Sequence, residues 1–317
     1  MRYVVTGAAG FIGSHLAEAL LAGGHEVVGI DCFTDYYERL IKEENARGVD
    51  IRRLDLAEDP LEFSGFDGVF HLAAQPGVRS FGDVFPSYLR RNVHASQRLF
   101  EAAARAGVRV VFASTSSVYG AAERYPTSEE EVPAPLSPYG ISKLAAEHLA
   151  SAYGSSFGLD AVVLRYFTVF GPRQRPDMAF TRVARALAEG QPFELYGDGG
   201  QTRSWTYVSD VVDATIAAMD RGTGTYNVGG AVEASMREAI TQFERLAGRS
   251  LDLREHAAVP GDQRRTSADT SRIRSDLGWE PRTSLEDGLK AQWEWAVAWG
   301  SPKSETRHGF PQRRPQP

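Results

Sequence analysis

Short apolar runs alternate with helix-patterned stretches through the first half of the chain. The runs cover residues 3–6, 26–31, 50–55, 68–73, 109–114 and 161–167, several of them Val/Ile-rich and nearly all apolar. Strands buried on both faces of a sheet read this way. Between them, residues 13–22, 88–106 and 139–157 carry helical periodicity. The alternation predicts βαβ units, right-handed crossovers and an α/β fold with a doubly wound parallel sheet. After residue 167 the rhythm breaks. Turns gather at Gly171-Pro172, Gly197-Asp198-Gly199-Gly200 and Pro260-Gly261-Asp262, and helices are expected over 179–189, 208–220, 236–247 and 285–298. This predicts a first domain of residues 1–167 with returning segments near 205–230, and a smaller, interleaved α/β lobe over 168–300. The polar, Pro-rich stretch 301–317 reads as a disordered tail. Trp293, Trp295 and Trp299 read as core packing, with a binding box as the other reading.

Composition narrows the function classes. Lys and Arg number 35 against 41 Asp and Glu, a net charge of −6 with no basic block before the tail, which argues against a nucleic-acid partner. The one cysteine, Cys32, excludes an intramolecular disulfide and fits a reducing compartment. No apolar run is long enough to span a membrane, and the N-terminal residues lack a signal-peptide layout, so a cytoplasmic location is expected. The seven histidines are scattered without metal-ligand spacing, so no metal is expected.

Candidate chemistry begins at Thr6-Gly7-Ala8-Ala9-Gly10-Phe11-Ile12-Gly13, which follows a strand and opens a helix. Gly7 permits a tight turn, Gly10 lets backbone approach a pyrophosphate, and Gly13 allows close helix–sheet packing. The helix N-terminus adds N–H donors and partial positive charge. A plain tight turn is the other reading. Asp31, near the expected distance down the chain, is placed to hold ribose hydroxyls and would repel a 2′-phosphate, favouring NAD over NADP. A solvated strand-end charge is its alternative. Asp55-Leu56, ending the third predicted strand, is the candidate for meeting adenine. The domain is thus predicted to be Rossmann-type.

Tyr139-Gly140-Ile141-Ser142-Lys143 places a phenol and an amine four residues apart, hence on one helical face. A nearby ammonium favours phenolate over phenol, so Tyr139 is a candidate base near neutrality. The pair lies some twenty residues after Ser114-Thr115-Ser116-Ser117-Val118-Tyr119-Gly120 at the end of a predicted strand. Thr115 can hydrogen-bond a sugar hydroxyl there; turn capping explains the same hydroxyls equally well.

Together these residues resemble the extended short-chain dehydrogenase/reductases that act on nucleotide sugars. The matching blocks are 6–13, His71-Leu72-Ala73-Ala74, Asn92-Val93, 114–120, 139–143 and Leu164-Arg165-Tyr166-Phe167. Tyr196-Gly197-Asp198-Gly199, Arg203, Tyr207-Val208, Asp210, Tyr226-Asn227-Val228-Gly229 and Leu277-Gly278-Trp279 also match. The resemblance covers residues 1–299. It implies catalysis by Thr115, Tyr139 and Lys143. It also implies a tightly held NAD contacted by Gly7, Gly10, Phe11, Ile12, Gly13, Asp31, Asp55, Leu56, Leu72, Ala73, Ala74, Gln75, Asn92, Tyr139, Lys143 and Tyr166. A UDP- or dTDP-sugar is implied in the second lobe, with Arg203 at the diphosphate and Asp262 and Arg265 in the substrate site. A homodimer built from the helices near 88–106 and 139–157 is implied as well. Two positions depart from the pattern. Ser204 stands where many relatives carry Asp. Val259 stands where galactose-type epimerases place a second Arg, leaving Arg265 as the substitute.

Family members share a first step in which the tyrosine takes the proton from the sugar 4-hydroxyl as a C4 hydride passes to NAD, giving a 4-keto sugar. Dehydratases follow the Thr with Asp and Glu; here Ser116 and Ser117 occupy those positions, and serine is a poor general acid or base. Epimerisation remains. The stretch 167–179, Gln75-Pro76-Gly77-Val78-Arg79-Ser80 and Asp35-Tyr36-Tyr37 resemble the uronate-specific 4-epimerases, and Thr168 stands where galactose-type relatives place Asn. A C6 carboxylate calls for charge-assisted donors. Ser116, Ser117, Thr168 and Arg175 can supply hydrogen bonds, and Arg79 belongs to the same substrate group. The expected reaction is UDP-glucuronate to UDP-galacturonate. A neutral UDP-glucose or UDP-N-acetylglucosamine 4-epimerase is the nearest alternative. A net oxidoreductase and an inactive binding protein are the others.

Overall fold

The computed structural model describes residues 1–77, 82–258 and 263–300. Arg79, Val259, Asp262 and the tail 301–317 lie outside the described residues. Seven strands form one sheet: β1 (Arg2–Thr6), β2 (Glu26–Ile30), β3 (Asp50–Arg52), β4 (Gly68–His71), β5 (Arg109–Thr115), β6 (Ala161–Tyr166) and β7 (Gly224–Val228). Their order is β7-β6-β5-β4-β1-β2-β3, and every neighbouring pair is parallel. Strand order reverses between β1 and β4, where doubly wound sheets bind ligands.

The main helices are α1 (Phe11–Ala22), α2 (Ala95–Ala106), α3 (Pro138–Phe157), α4 (Ala179–Glu189), α5 (Val208–Arg221), α6 (Met236–Ala247) and α7 (Leu285–Gly300). Successive strand residues face opposite sides of the sheet. Val5, Val111 and Val162 join Leu16 of α1 and Val211 of α5 in one core, while Val4, Val110 and Val163 join Leu99 of α2 and Ala146 of α3 in the other. A third core, centred on Phe170, Phe180, Phe243 and Leu289, holds α4, α6 and α7 together. Trp293 and Trp295 pack against it; Trp299, expected in the core, is 39% exposed and stacks on Trp295 instead.

Two elements differ from expectation. β3 stops at Arg52: it is an edge strand with one neighbour, so Asp55 lies in the loop beyond it. The helix expected over 88–106 is interrupted. An α turn (Phe85–Tyr88) passes into a π segment (Leu89–His94) before α2 begins. Such wide turns frequently sit at functional sites.

The Gly-rich turn is sterically closed to a side chain at Gly7 and at Gly13. Gly7 has φ +71°, and a Cβ there would stand 2.9 Å from the Ala73 amide nitrogen. A Cβ on Gly13 would stand 2.2 Å from the Gly7 carbonyl oxygen, which is backbone and cannot swing aside. Gly13→Ala should therefore push α1 off the turn. The expected result is loss of the thermal stabilisation given by added NAD; an unchanged NAD shift would refute the packing role.

Candidate active site

A deep cleft opens at the carboxyl ends of the strands, on the reversal between β1 and β4. Its volume is about 1190 Å³ including the open mouth, ample for a ligand of dinucleotide size. Gly7, Gly10, Phe11, Ile12 and Gly13 form one wall. Gly10 is the N-cap of α1 and has no side chain to accept the first-turn amides, so those donors are left for an anion. Thr6 braces the turn from behind: its hydroxyl accepts the amides of Leu72 and Ala73, both at 3.1 Å, and pairs with His71 Nδ1 at 2.8 Å. Burial pushes His71 down to about 3, so it stays neutral beside Ser96.

Asp31 lines the same cleft just past β2. The amides of Ala9 and Phe33 donate to its two carboxylate oxygens at 3.2 and 2.8 Å. Asp55, Leu56, Leu72, Ala73, Ala74, Tyr139, Lys143, Tyr166 and Arg175 complete the expected residues on the wall. A turn that admits no Cβ at Gly7 or Gly13, open helix amides and a fixed carboxylate fit the phosphates and ribose of a nicotinamide dinucleotide.

Tyr139 is positioned by local sequence. Ser137 caps α3 by accepting the Gly140 amide at 3.1 Å, and Pro138 fills the first helical position. Tyr139 therefore sits in the first turn. A Cβ on Gly140 would stand 2.6 Å from the Ser117 carbonyl oxygen, so only glycine lets α3 lie this close to the turn after β5. That contact brings Thr115 to the phenol. The Thr115 side chain lowers the Tyr139 phenol, and its hydroxyl accepts the Ser117 amide at 3.2 Å, the capping arrangement; Thr115 is not among the described residues lining the cleft.

The electrostatics differ from expectation. Burial raises the Tyr139 phenol, and the groups that pull it back are the Arg175 guanidinium and the Thr115 hydrogen bond. Lys143 is itself pushed down to about 7 by burial, with Glu147 one turn further opposing. Its amine sits 4.4 Å above the Phe112 ring, a cation–π contact that favours the charged form but does not offset the burial. Between pH 7 and its ordinary value near 10.5, the unfolded chain holds a proton on Lys143 that the folded, ligand-free chain does not. Stability should rise with pH across that window. Lys143→Met should flatten the rise in melting temperature between pH 7 and 9; equal slopes would count against it.

Other expected residues stand elsewhere. Gln75 and Asn92 are buried and are not among the described residues that line the cleft. The Gln75 amide donates to Asn92 Oδ1 at 2.7 Å, and Asn92 Nδ2 reaches the Gln75 carbonyl at 3.0 Å and Ser142 Oγ at 2.9 Å. The π segment turns Asn92 inward, where it ties the loop after β4 to α3. Ser116 and Arg265 line a separate small pocket with Tyr125, Gln263 and Thr266. Arg265 is committed to Glu233 by two 2.7 Å contacts. Arg203 donates to the carbonyls of Thr202 and Gln263 at 2.8 and 2.7 Å. Ser117 accepts from Thr115 at 3.2 Å, and the Thr168 carbonyl accepts the Thr206 amide at 2.9 Å. Thr168, Ser117 and Arg203 are not among the described residues lining either pocket.

Sequence reasoning missed Lys42 and Arg91 on the cleft wall. Lys42 donates to the Thr34 carbonyl and hydroxyl at 2.7 and 2.9 Å and lies under the Tyr37 ring, fixing the loop after β2. In sequence it looks like one more charge on a surface helix.

Known proteins bear on this geometry. The chain is 42% identical over 303 residues to YtcB of Bacillus subtilis, an uncharacterized UDP-glucose epimerase, covering 91% of this chain and 96% of that one. It superposes with a TM-score of 0.89 on UDP-glucuronic acid 4-epimerase from Bacillus cereus in complex with UDP-glucuronic acid and NAD, at 39% identity over 94% of this chain and all of that one. MoeE5, solved with UDP-glucuronic acid and NAD, gives a TM-score of 0.85 at 43% identity, over 94% of this chain and 100% of its own; it was also solved with UDP-glucose and NAD. The family model "NAD dependent epimerase/dehydratase family" matches residues 3–229, from the first strand of the parallel sheet through the last. Sheet order, dinucleotide turn and family match agree, and the chain belongs to the NAD dependent epimerase/dehydratase family.

Proposed function

We propose that the chain is a UDP-sugar 4-epimerase working through a transient 4-keto sugar, with UDP-glucuronate and UDP-galacturonate as its substrate pair. The observation that carries the reading is the group around Tyr139. Thr115 and the Arg175 guanidinium both pull its buried phenol down, while the residues following Thr115 are serines. Tyr139 takes the proton from the sugar O4 and returns it on the way back. Thr115 holds the phenol and the hydroxyl in line. Ser116 and Ser117 offer no carboxylate to eliminate water from the keto sugar, so it turns over instead. NAD, held by the Gly-rich turn, Asp31 and the Lys143 amine, supplies a hydride acceptor that is restored each cycle. A cation near the phenol also lies near C6, two bonds from C4, which supports a C6 carboxylate.

The neutral-sugar reading has its own support. Arg175 is already paired with Asp177, so a ligand without a carboxylate leaves no bare charge. The test is incubation of the purified protein with UDP-glucuronate and with UDP-glucose, with products separated by chromatography. UDP-galacturonate should form faster than UDP-galactose; the reverse order would install the alternative. Thr168→Ala should raise CO₂ release or depress turnover on the uronate, and no change in either would remove Thr168 from the carboxylate site.

Residues 1–167 with β7 serve in this reading as the NAD-binding part and 168–300 as the sugar lobe. Apolar side chains exposed on the helices flanking the cleft, Phe85, Leu89 and Ile141, support a homodimer through those helices. Among the described residues no helix is long and apolar enough to cross a membrane. We place the enzyme in the cytoplasm, where its nucleotide-sugar substrates and a reduced Cys32 fit.

A further inference from the structure

We propose that Asp177 is a specificity-determining residue: it occupies Arg175 as an internal carboxylate and so narrows the advantage of an anionic sugar over a neutral one. The inference rests on the epimerase reading above. Arg175 Nε and Nη2 donate to the two Asp177 oxygens, both at 3.0 Å, the fork geometry that a sugar C6 carboxylate would itself seek. The Tyr36 hydroxyl donates to the same carboxylate at 3.3 Å, and the Tyr36 ring lies 5.8 Å from the guanidinium carbon. Tyr36 and Arg175 both line the cleft that holds Tyr139.

The loop that carries the pair is fastened to α1. Arg173, with φ +63°, donates to Glu18 at 2.7 Å, and His15 meets the Pro172 carbonyl at 2.9 Å. A non-glycine residue in the left-handed region persists where its surroundings hold it. Asp177 is therefore presented to Arg175 by a fixed loop.

A half-buried guanidinium needs a partner, since an unpaired charge out of water is costly. With a neutral sugar, Asp177 supplies that partner. With a uronate, two carboxylates compete for one cation, and part of the attraction for substrate is lost in displacing or sharing Asp177. Removing its charge should leave Arg175 seeking the ligand's carboxylate and penalise a ligand that has none. Any effect of the freed cation on the Tyr139 phenol acts on both sugars and cancels in their ratio.

The experiment compares kcat/KM for UDP-glucuronate and UDP-glucose in the wild type, Asp177→Asn, and Asp177→Asn with Arg175→Gln. Asp177 is 41% exposed in its side chain, and Asn keeps its shape, so the fold is expected to hold; a thermal melt checks this. Asp177→Asn should raise the uronate-to-glucose ratio about tenfold, chiefly through a lower KM for the uronate. Adding Arg175→Gln should abolish the gain. A ratio within about twofold of wild type, or a gain that survives Arg175→Gln, overturns the inference alone. A wild type that epimerises neither sugar ends both the reading it rests on and this inference with it.

Discussion

Tyr139→Phe should abolish epimerisation, a loss on the order of 10³-fold or more, with the fold and NAD binding intact. The phenol oxygen alone is removed, and the ring keeps its edge contact with Tyr88. In the proposed reaction, what disappears is the acceptor for the O4 proton, at a position set by Gly140 and the Ser137 cap. Burial opposes ionisation there, so catalysis depends on the neighbouring donor and cation to make the proton transfer possible. Chromatography of the products reads the loss of epimerisation, and transient NADH absorbance on rapid mixing of UDP-sugar with the NAD-loaded protein reads hydride transfer. A variant that still reduces its NAD on adding substrate would show that another group takes the proton.

Glu147→Ala should destabilise the protein by about 3–5 kcal/mol. Glu147 and Arg165 are both 8% exposed in their side chains and are joined at 2.7 Å, with the Arg165 Nε also donating to both carboxylate oxygens at 3.1 and 3.2 Å. Ser114 donates to the same carboxylate, and Arg165 continues to the Tyr119 hydroxyl at 2.9 Å, which donates to Asn227 at 2.7 Å. One carboxylate thus ties α3 to β5, β6 and, through Asn227, β7. Its removal leaves a buried guanidinium without its counter-charge. Replacing both partners by apolar residues of similar size should cost much less, because the stranded charge goes with them. Urea denaturation reads both. A single variant costing under about 1 kcal/mol would mean that water reaches Arg165.

The sheet was legible because its strands are apolar on both faces, a pattern that few other elements share. Residues 4 and 5, 110 and 111, and 162 and 163 divide between the two cores as a period of two requires. Tyr139 and Lys143 were legible as a pair because a Ser-Pro start fixes the helix around them. What the pattern could not carry was partnership across distance. Arg175 reads as an open cation until Asp177 is seen gripping it, and Arg265 until Glu233 is. Asn92 was a ligand contact by resemblance alone, and the π turn around it leaves no trace in 3.6-residue periodicity. Asp55 was placed at a strand end because nothing in 50–55 announces that an edge strand stops after three residues.

β7 follows α5 in the chain yet closes the side of the sheet that β6 would otherwise leave open. A ribosome that has delivered residue 167 has made six of the seven strands, but the rim of β6 must wait some sixty residues for its cover. During that interval Leu164 and Val162, fully buried at the end, belong to an unfinished border. Cutting the gene there to obtain a free-standing nucleotide module would make the interval permanent. Laboratory exchange of the sugar lobe between relatives must carry β7 across with its own sheet, as two grafts rather than one.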